Sequence, residues 1–163
     1  MNEREVMIGR LMGIMRDAGD QSSNEDLYNS MSAMLDDENT HFLDVYPRAL
    51  HNRQDPEQSI GLVAITNAVN QGRCVHLIRL FYVDDRYKRS WCGERTVEEE
   101  MRRFPNDDWG YVVCACDQDA RVRLANLFFI NGFVSVPCRS LAKGYITTCW
   151  RRRALMDDEQ QSA

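Results

Sequence analysis

The chain's 163 residues are enough to bury a core, and 44% hydrophobic with 28% charged residues is the mix of a globular domain, not of a disordered or fibrous chain. A formal net charge of −5 argues against general charge-driven binding to nucleic acid, so an anion site has to be a local basic patch. No stretch approaches the ~18 consecutive apolar residues of a membrane span, and the charged start MNEREVM lacks the apolar segment of a secretory signal. The expected location is cytoplasmic.

Residues 2–18 read as a helix with Met7, Leu11, Ile14, Met15 and Ala18 on one apolar stripe, ended by Gly19 and DQSSN. Ser23 or Asn24 caps a second helix that carries Leu27, Met31, Met34 and Leu35, with Glu25 and Asp26 favourable in its first turn. After the acidic turn 36–39, Thr40 to Tyr46 is a strand stopped by Pro47, and the polar residues 48–58 form a loop. Ser59–Val69 and Arg73–Val83 are strands around the turn Asn70-Gln71-Gly72, simplest as an antiparallel pair.

A helix bearing Val97, Met101 and Phe104 at i, i+4 and i+7 follows, ending at Pro105. Trp109–Asp117 is a nearly continuous apolar strand, the pattern of one covered on both faces. Asp119 caps a helix over 120–130, which Asn131-Gly132 closes. Phe133–Arg139 and Gly144–Arg151 are the last strands, with a turn at 140–143. The acidic tail 156–163 is expected to be disordered. The order ααβββαβαββ makes residues 1–155 a single α/β domain around a mixed sheet.

With a cytoplasmic location, the six cysteines read as reduced thiols and not as a disulfide framework. Cys74-x-His76 and Cys114-x-Cys116 lack the two-residue ligand spacing of zinc sites, so no metal is expected.

The stretch that carries chemistry is LFYVDDRYKRSWCGERTVEEEMRRF, residues 80–104. An apolar strand enters a short basic turn, and a helix begins there. Free N–H groups and the positive end of the helix dipole then face the turn, where Arg86, Lys88, Arg89 and Arg95 add charge. That combination suits phosphate; the alternative is an ordinary strand–helix connection with solvated basic residues.

These residues and the element order resemble the GNAT superfamily of N-acetyltransferases. The order is similar to the family's except for its usual first strand, which is missing. VDDRYKRSWCG (83–93) resembles the family's strand end and pyrophosphate loop, with Val83, Tyr87, Lys88 and Gly93 in register. LANLFFINGF (124–133) is similar to the late helix that enters the next strand at Gly132-Phe133. The resemblance covers roughly residues 5–153 and implies a mixed, mostly antiparallel sheet flanked by helices. It also implies acetyl-CoA as cofactor and transfer of acetyl to a primary amine, on a small molecule or a protein, by direct attack in a ternary complex.

By the same resemblance, Lys88, Arg89, Ser90, Trp91, Cys92 and Gly93 line the pyrophosphate, and the backbone of Phe81, Tyr82 and Val83 polarises the acetyl carbonyl. Three positions depart from the pattern. Trp91 fills the first glycine place of the loop, where an indole has to swing out or stack on the adenine. Phe128 stands where many members carry a Tyr that protonates the leaving thiolate, and Phe has no proton to give. Arg121 stands where an Asn often meets the pantetheine arm.

Candidate bases are His76 and Asp84 with Asp85; candidate acids are Tyr82, Tyr111, Tyr145, Cys116, Cys138 or solvent. Each has a plain structural alternative: a strand histidine, a capped turn, core packing. Trp150 and Arg151–Arg153 form a basic strand end, read as a solvated edge or as a contact for an acidic partner. A catalytically degenerate GNAT-like protein that binds a partner remains the alternative function, and the missing first strand leaves an edge that a homodimer would cover.

Overall fold

The computed structural model describes residues 2–47, 56–112, 118–138 and 147–156. These form two compact units, Met1–His41 and Phe42–Ala163.

The first unit is a helical hairpin of α1 (Glu3–Asp17) and α2 (Asn24–Asp36). Asn2 caps α1 by accepting from the Glu5 N–H, and Ser23 caps α2 by accepting from the Asp26 N–H. Gly19, at φ 93°, provides the left-handed turn after α1. Arg4 at the start of α1 pairs with Asp36 at the end of α2, Nη2 to Oδ2 2.8 Å, so the helices run antiparallel. Ile8, Leu11 and Ile14 are the buried residues of α1, and Leu27, Met31 and Met34 those of α2. Ile8 thus takes the core place expected of Met7, and Ala18 lies at the exposed C-cap, outside the helix.

Six strands follow in a single sheet: β1 (Thr40–Val45), β2 (Gly61–Asn70), β3 (Arg73–Val83), β4 (Asp108–Val112), β5 (Phe133–Val136) and β6 (Thr147–Arg152), in the spatial order β1-β2-β3-β4-β6-β5. β2 and β3 are the expected antiparallel pair, closed by Gln71 and Gly72 at φ 52° and 78°, the positive pair a tight hairpin requires. β3 and β4 run parallel, while β6 is antiparallel to both β4 and β5. α3 (Cys92–Arg103) connects β3 to β4 and packs on β2 and β3; α4 (Gln118–Ile130) packs on β5 and on α3. The fold is thus mixed α/β with a mostly antiparallel sheet flanked by helices.

One irregularity sets the side chains of β3. The register with β2 steps from Ala64–Leu80 to Ile65–Ile78, leaving Arg79 as an extra residue. The bulge shifts the alternation, so Ile78 shares its core cluster with Phe81 and Val83 instead of with Leu80 and Tyr82. Val63, Val97, Trp109, Leu124 and Phe128 complete the middle of that cluster. On the other face Val75, Leu77, Val136 and Cys149 pack together.

Several expectations change in detail. Asp119 lies inside the first turn of α4, not at its cap, where a carboxylate still suits the dipole. β5 stops at Val136, before Pro137, which cannot donate to a ladder. The basic end of the last strand is no solvated edge, because β6 runs between β4 and β5. Arg151 is buried and grips the fully buried Asp108, Nε to Oδ1 3.0 Å and Nη2 to Oδ2 3.0 Å. Arg152 donates to the Met101 carbonyl near the end of α3 at 3.1 Å, and its guanidinium stands 5.0 Å over the Phe133 ring. The expected loop residues 48–55, the far end of the fourth strand with Cys114 and Cys116, the turn and strand start 139–146 with Tyr145, and the tail 157–163 lie outside the described residues.

Among the described residues, no helix is long and apolar enough to cross a membrane, and no group of three His, Cys, Asp or Glu side chains is arranged to hold a metal ion.

Candidate functional site

The parallel ladder of β3 with β4 ends, among the described residues, at the pair Ile78–Tyr111, while β3 itself runs on to Val83. The stretch Phe81-Tyr82-Val83 is laddered to β2. At its end the backbone turns sharply. Asp84 caps a 3-10 turn (Asp85–Tyr87), its carboxylate accepting from the Arg86 N–H at 3.0 Å. The Tyr87 carbonyl then accepts from the Ser90 N–H at 3.0 Å and from the Ser90 hydroxyl.

Trp91 follows at φ 66°, a left-handed conformation that glycine adopts freely and a tryptophan rarely. The chain keeps the backbone of a glycine at this place while carrying an indole. The indole is 37% exposed and lies back along α3, Nε1 donating to Glu98 Oε1 at 3.1 Å.

α3 then starts with no side-chain cap, and the N–H groups of Cys92 and Gly93 meet no hydrogen-bond partner among the described residues. They are orphan donors at the positive end of a helix dipole. Gly93 is buried directly on β3: a Cβ there would lie 2.7 Å from both Phe81 Cζ and Val83 Cγ2. Glycine lets the helix start descend onto the strand.

The charges around this turn are mostly balanced. Arg86 pairs with Asp84 at 3.2 Å and Lys88 with Asp85 at 2.8 Å. The Asp84 carboxyl is held below the ordinary carboxylate range, first by the Arg86 side chain and then by the Arg86 N–H. That makes it a weaker base than a free carboxylate. Arg89 and Arg95 carry no ion pair among the described residues. They are the cations with charge to offer.

Beneath the turn lies a group that the pattern of the sequence did not reveal. Glu94 is buried in the first turn of α3, and Arg123 of α4 reaches its Oε1 with Nη1 at 3.1 Å. The same Nη1 donates to the Lys88 carbonyl at 3.2 Å, Nε stands 3.1 Å from Asp119, and the guanidinium lies 5.2 Å over the Phe81 ring. Burial raises the Glu94 carboxyl above its ordinary pKa, with its own N–H and then Arg123 pulling the other way. The only sequence hint was the i, i+4 spacing of Asp119 and Arg123.

The remaining candidates are scattered. His76 lies near the start of β3, away from the turn, and is buried. Its Nδ1 is 2.9 Å from Asn67 Oδ1 and its Nε2 2.8 Å from Asp107 Oδ2, with the ring between Phe104 at 4.4 Å and Trp109 at 4.9 Å. Phe128 is fully buried against Phe133 and Trp150. Arg121 borders a hollow of about 270 Å³ with Tyr111, Val122 and Ala125, and its buried Nε meets no partner among the described residues. Cys138 donates to the Thr147 carbonyl at 3.4 Å, and burial beside it pushes the Cys149 thiol pKa up.

No protein-family model matches this sequence, and no curated protein matches it. Solved structures do. A GNAT-family acetyltransferase from Staphylococcus aureus Mu50 is 14% identical with a TM-score of 0.55, over 93% of this chain and 94% of that one. NAA60 of Arabidopsis thaliana in complex with acetyl-CoA is 10% identical with a TM-score of 0.53, over 90% and 92%. A chain of the NatC complex bound to Gag peptide and CoA is 13% identical with a TM-score of 0.51, over 93% and 91%. At such identities the likeness is one of fold, and by it this chain has the GNAT acetyltransferase fold.

Proposed function

We propose that the chain binds acetyl-CoA at the turn between β3 and α3 and transfers the acetyl group to a primary amine. The observation that carries this reading is the pair of N–H groups of Cys92 and Gly93 at the start of α3, which meet no partner among the described residues, beside Arg89 and Arg95, which carry no ion pair among them, at the end of β3. Orphan N–H donors and free guanidinium groups fit a pyrophosphate. The thioester supplies an acetyl carbon open to attack and a thiolate leaving group.

The chain's own part is binding and positioning. Arg89, Ser90, Trp91, Cys92 and Gly93 hold the phosphates, and Lys88, paired with Asp85, stands in the same turn. The backbone of Phe81, Tyr82 and Val83 orients the acetyl carbonyl. The amine nitrogen attacks, the C–S bond breaks, and the amine's proton leaves to solvent. Asp84 assists little as a base because Arg86 holds it ionised. Holding amine and thioester in near-attack geometry supplies the main acceleration. The likeness to a NatC chain in a complex bound to a Gag peptide favours a peptide amine among acceptors.

A second reading, a GNAT-like protein that binds a partner without turnover, draws support from Phe128, which is buried and has no proton to donate. Calorimetric titration with acetyl-CoA and with CoA, followed by an amine and peptide screen for released thiol, separates the two. Saturable binding with turnover supports acetyl transfer. Binding without turnover on any amine supports the second reading, and no binding at millimolar cofactor removes both cofactor roles.

A further inference from the structure

Glu94 poses a problem for any anion at the start of α3. Its carboxylate is 1% exposed and lies in the same helical turn as the open N–H groups of Cys92 and Gly93. An uncompensated negative charge there would repel phosphate across a poorly solvated space and would compete for the positive end of the dipole. Arg123 removes that conflict. Its side chain is 18% exposed, and the same Nη1 meets Glu94 Oε1 at 3.1 Å and the Lys88 carbonyl at 3.2 Å. The Phe81 ring supports the guanidinium at 5.2 Å, and the exposed Asp119 carboxylate stands 3.1 Å from its Nε as an ion pair without a hydrogen bond. One side chain of α4 thus cancels the buried carboxylate and fixes the peptide that opens the basic turn.

We propose that Arg123 is a positioning residue for the anion site: it neutralises Glu94 and holds the Lys88 carbonyl so that the Cys92 and Gly93 N–H groups stay open to a phosphate. It acts through Glu94 and the Lys88 peptide and does not itself touch the phosphate. The inference rests on the cofactor reading above for its ligand, but its structural half needs no ligand.

The test is a four-member cycle in the full chain: wild type, Arg123→Met, Glu94→Gln and the double variant, each titrated calorimetrically with acetyl-CoA. Arg123→Met is expected to weaken binding at least about tenfold, because it leaves a buried carboxylate unpaired beside the site. The double variant is expected to regain most of that loss, since the repelling charge is gone. Glu94→Gln alone is expected to bind at least as tightly as wild type. A merely structural arginine would not be rescued by removing its acidic partner, so an unrecovered double variant overturns the proposal. Unchanged binding in Arg123→Met overturns it too.

Should Arg123→Met fail to fold, Glu94→Gln still decides, since weaker binding in that variant contradicts a repelling carboxylate. Amide hydrogen exchange over residues 88–94 reads the holding role without cofactor. Faster exchange confined to that segment in Arg123→Lys, which keeps a charge but loses the fork, supports the role; unchanged exchange rejects it. If wild type binds no acetyl-CoA, the cofactor reading falls, and the exchange result alone judges Arg123.

Discussion

Gly93 and Phe81 stand so close that a single methyl group on the glycine would lie 2.7 Å from the phenyl Cζ. The contact gives this glycine a packing role that is separate from any approach of a phosphate. Gly93→Ala should gain about 1 kcal/mol of helix propensity and lose more to overpacking against Phe81 and Val83. The expected net effect is a loss of about 1–2 kcal/mol, seen as a lower urea midpoint at unchanged slope. Acetyl-CoA affinity should fall with it, since lifting the start of α3 off β3 moves the Cys92 and Gly93 N–H groups. A variant as stable as wild type would show that the ring and the valine yield freely.

The ion pairs around the turn predict which charges matter to an anion. Lys88 is occupied by Asp85, whereas Arg89 has no ion pair among the described residues. Arg89→Met should therefore weaken acetyl-CoA binding by about tenfold and flatten its dependence on salt. Asp85→Asn should tighten binding, because it removes an exposed carboxylate charge from the anion-binding turn at the cost of a pair worth only about 0.2–1 kcal/mol. Titrations at two ionic strengths check both. A tighter-binding Arg89→Met or a weaker-binding Asp85→Asn would contradict this reading of the turn.

The fold was legible where periodicity and turn chemistry are local. Gln71-Gly72, Gly132 and the Ser23 cap each announce an element boundary by a backbone need that few residues meet. What pairs across the sheet was not legible. The basic run Arg151–Arg153 looked like a solvated edge because nothing local says that β6 is an inner strand or that Asp108 waits opposite Arg151. The bulge at Arg79 was equally silent, although it decides that Phe81, not Tyr82, faces α3. At the site, the loop and helix start were readable as a pattern. The state of the charges was not, since Lys88–Asp85, Arg86–Asp84 and Arg123–Glu94 are settled by side-chain geometry.

His76 should behave as a core residue. With both ring nitrogens facing oxygens and its faces against Phe104 and Trp109, it fills space and satisfies Asn67 and Asp107. His76→Ala should cost about 2–4 kcal/mol in urea unfolding, from the cavity and the lost hydrogen bonds. Acetyl-CoA affinity of the folded fraction should stay at the wild-type value, because the residue lies at the far end of β3 from the turn. Loss of affinity without loss of stability would bring His76 back to the site.

Glu94 makes the stability of the fold depend on pH with a definite sign. Burial raises its pKa in the folded chain above the ordinary value near 4.5, so the folded state holds that proton more tightly than the unfolded state does. The stability linked to this group is full below the unfolded-state pKa and is lost as pH rises through the folded one. Glu94→Gln does not titrate. Its stability relative to wild type should therefore climb as pH increases from about 4.5, and level off once the folded-state carboxyl is ionised. Urea unfolding of both proteins from pH 4 to pH 8 reads this as a difference, in which all other titrating groups cancel. A flat difference would mean that Arg123 and the Glu94 N–H fully offset the burial of the carboxylate. A difference that falls with pH would mean that the ion pair outweighs desolvation, and Glu94 would then be a source of stability at neutral pH.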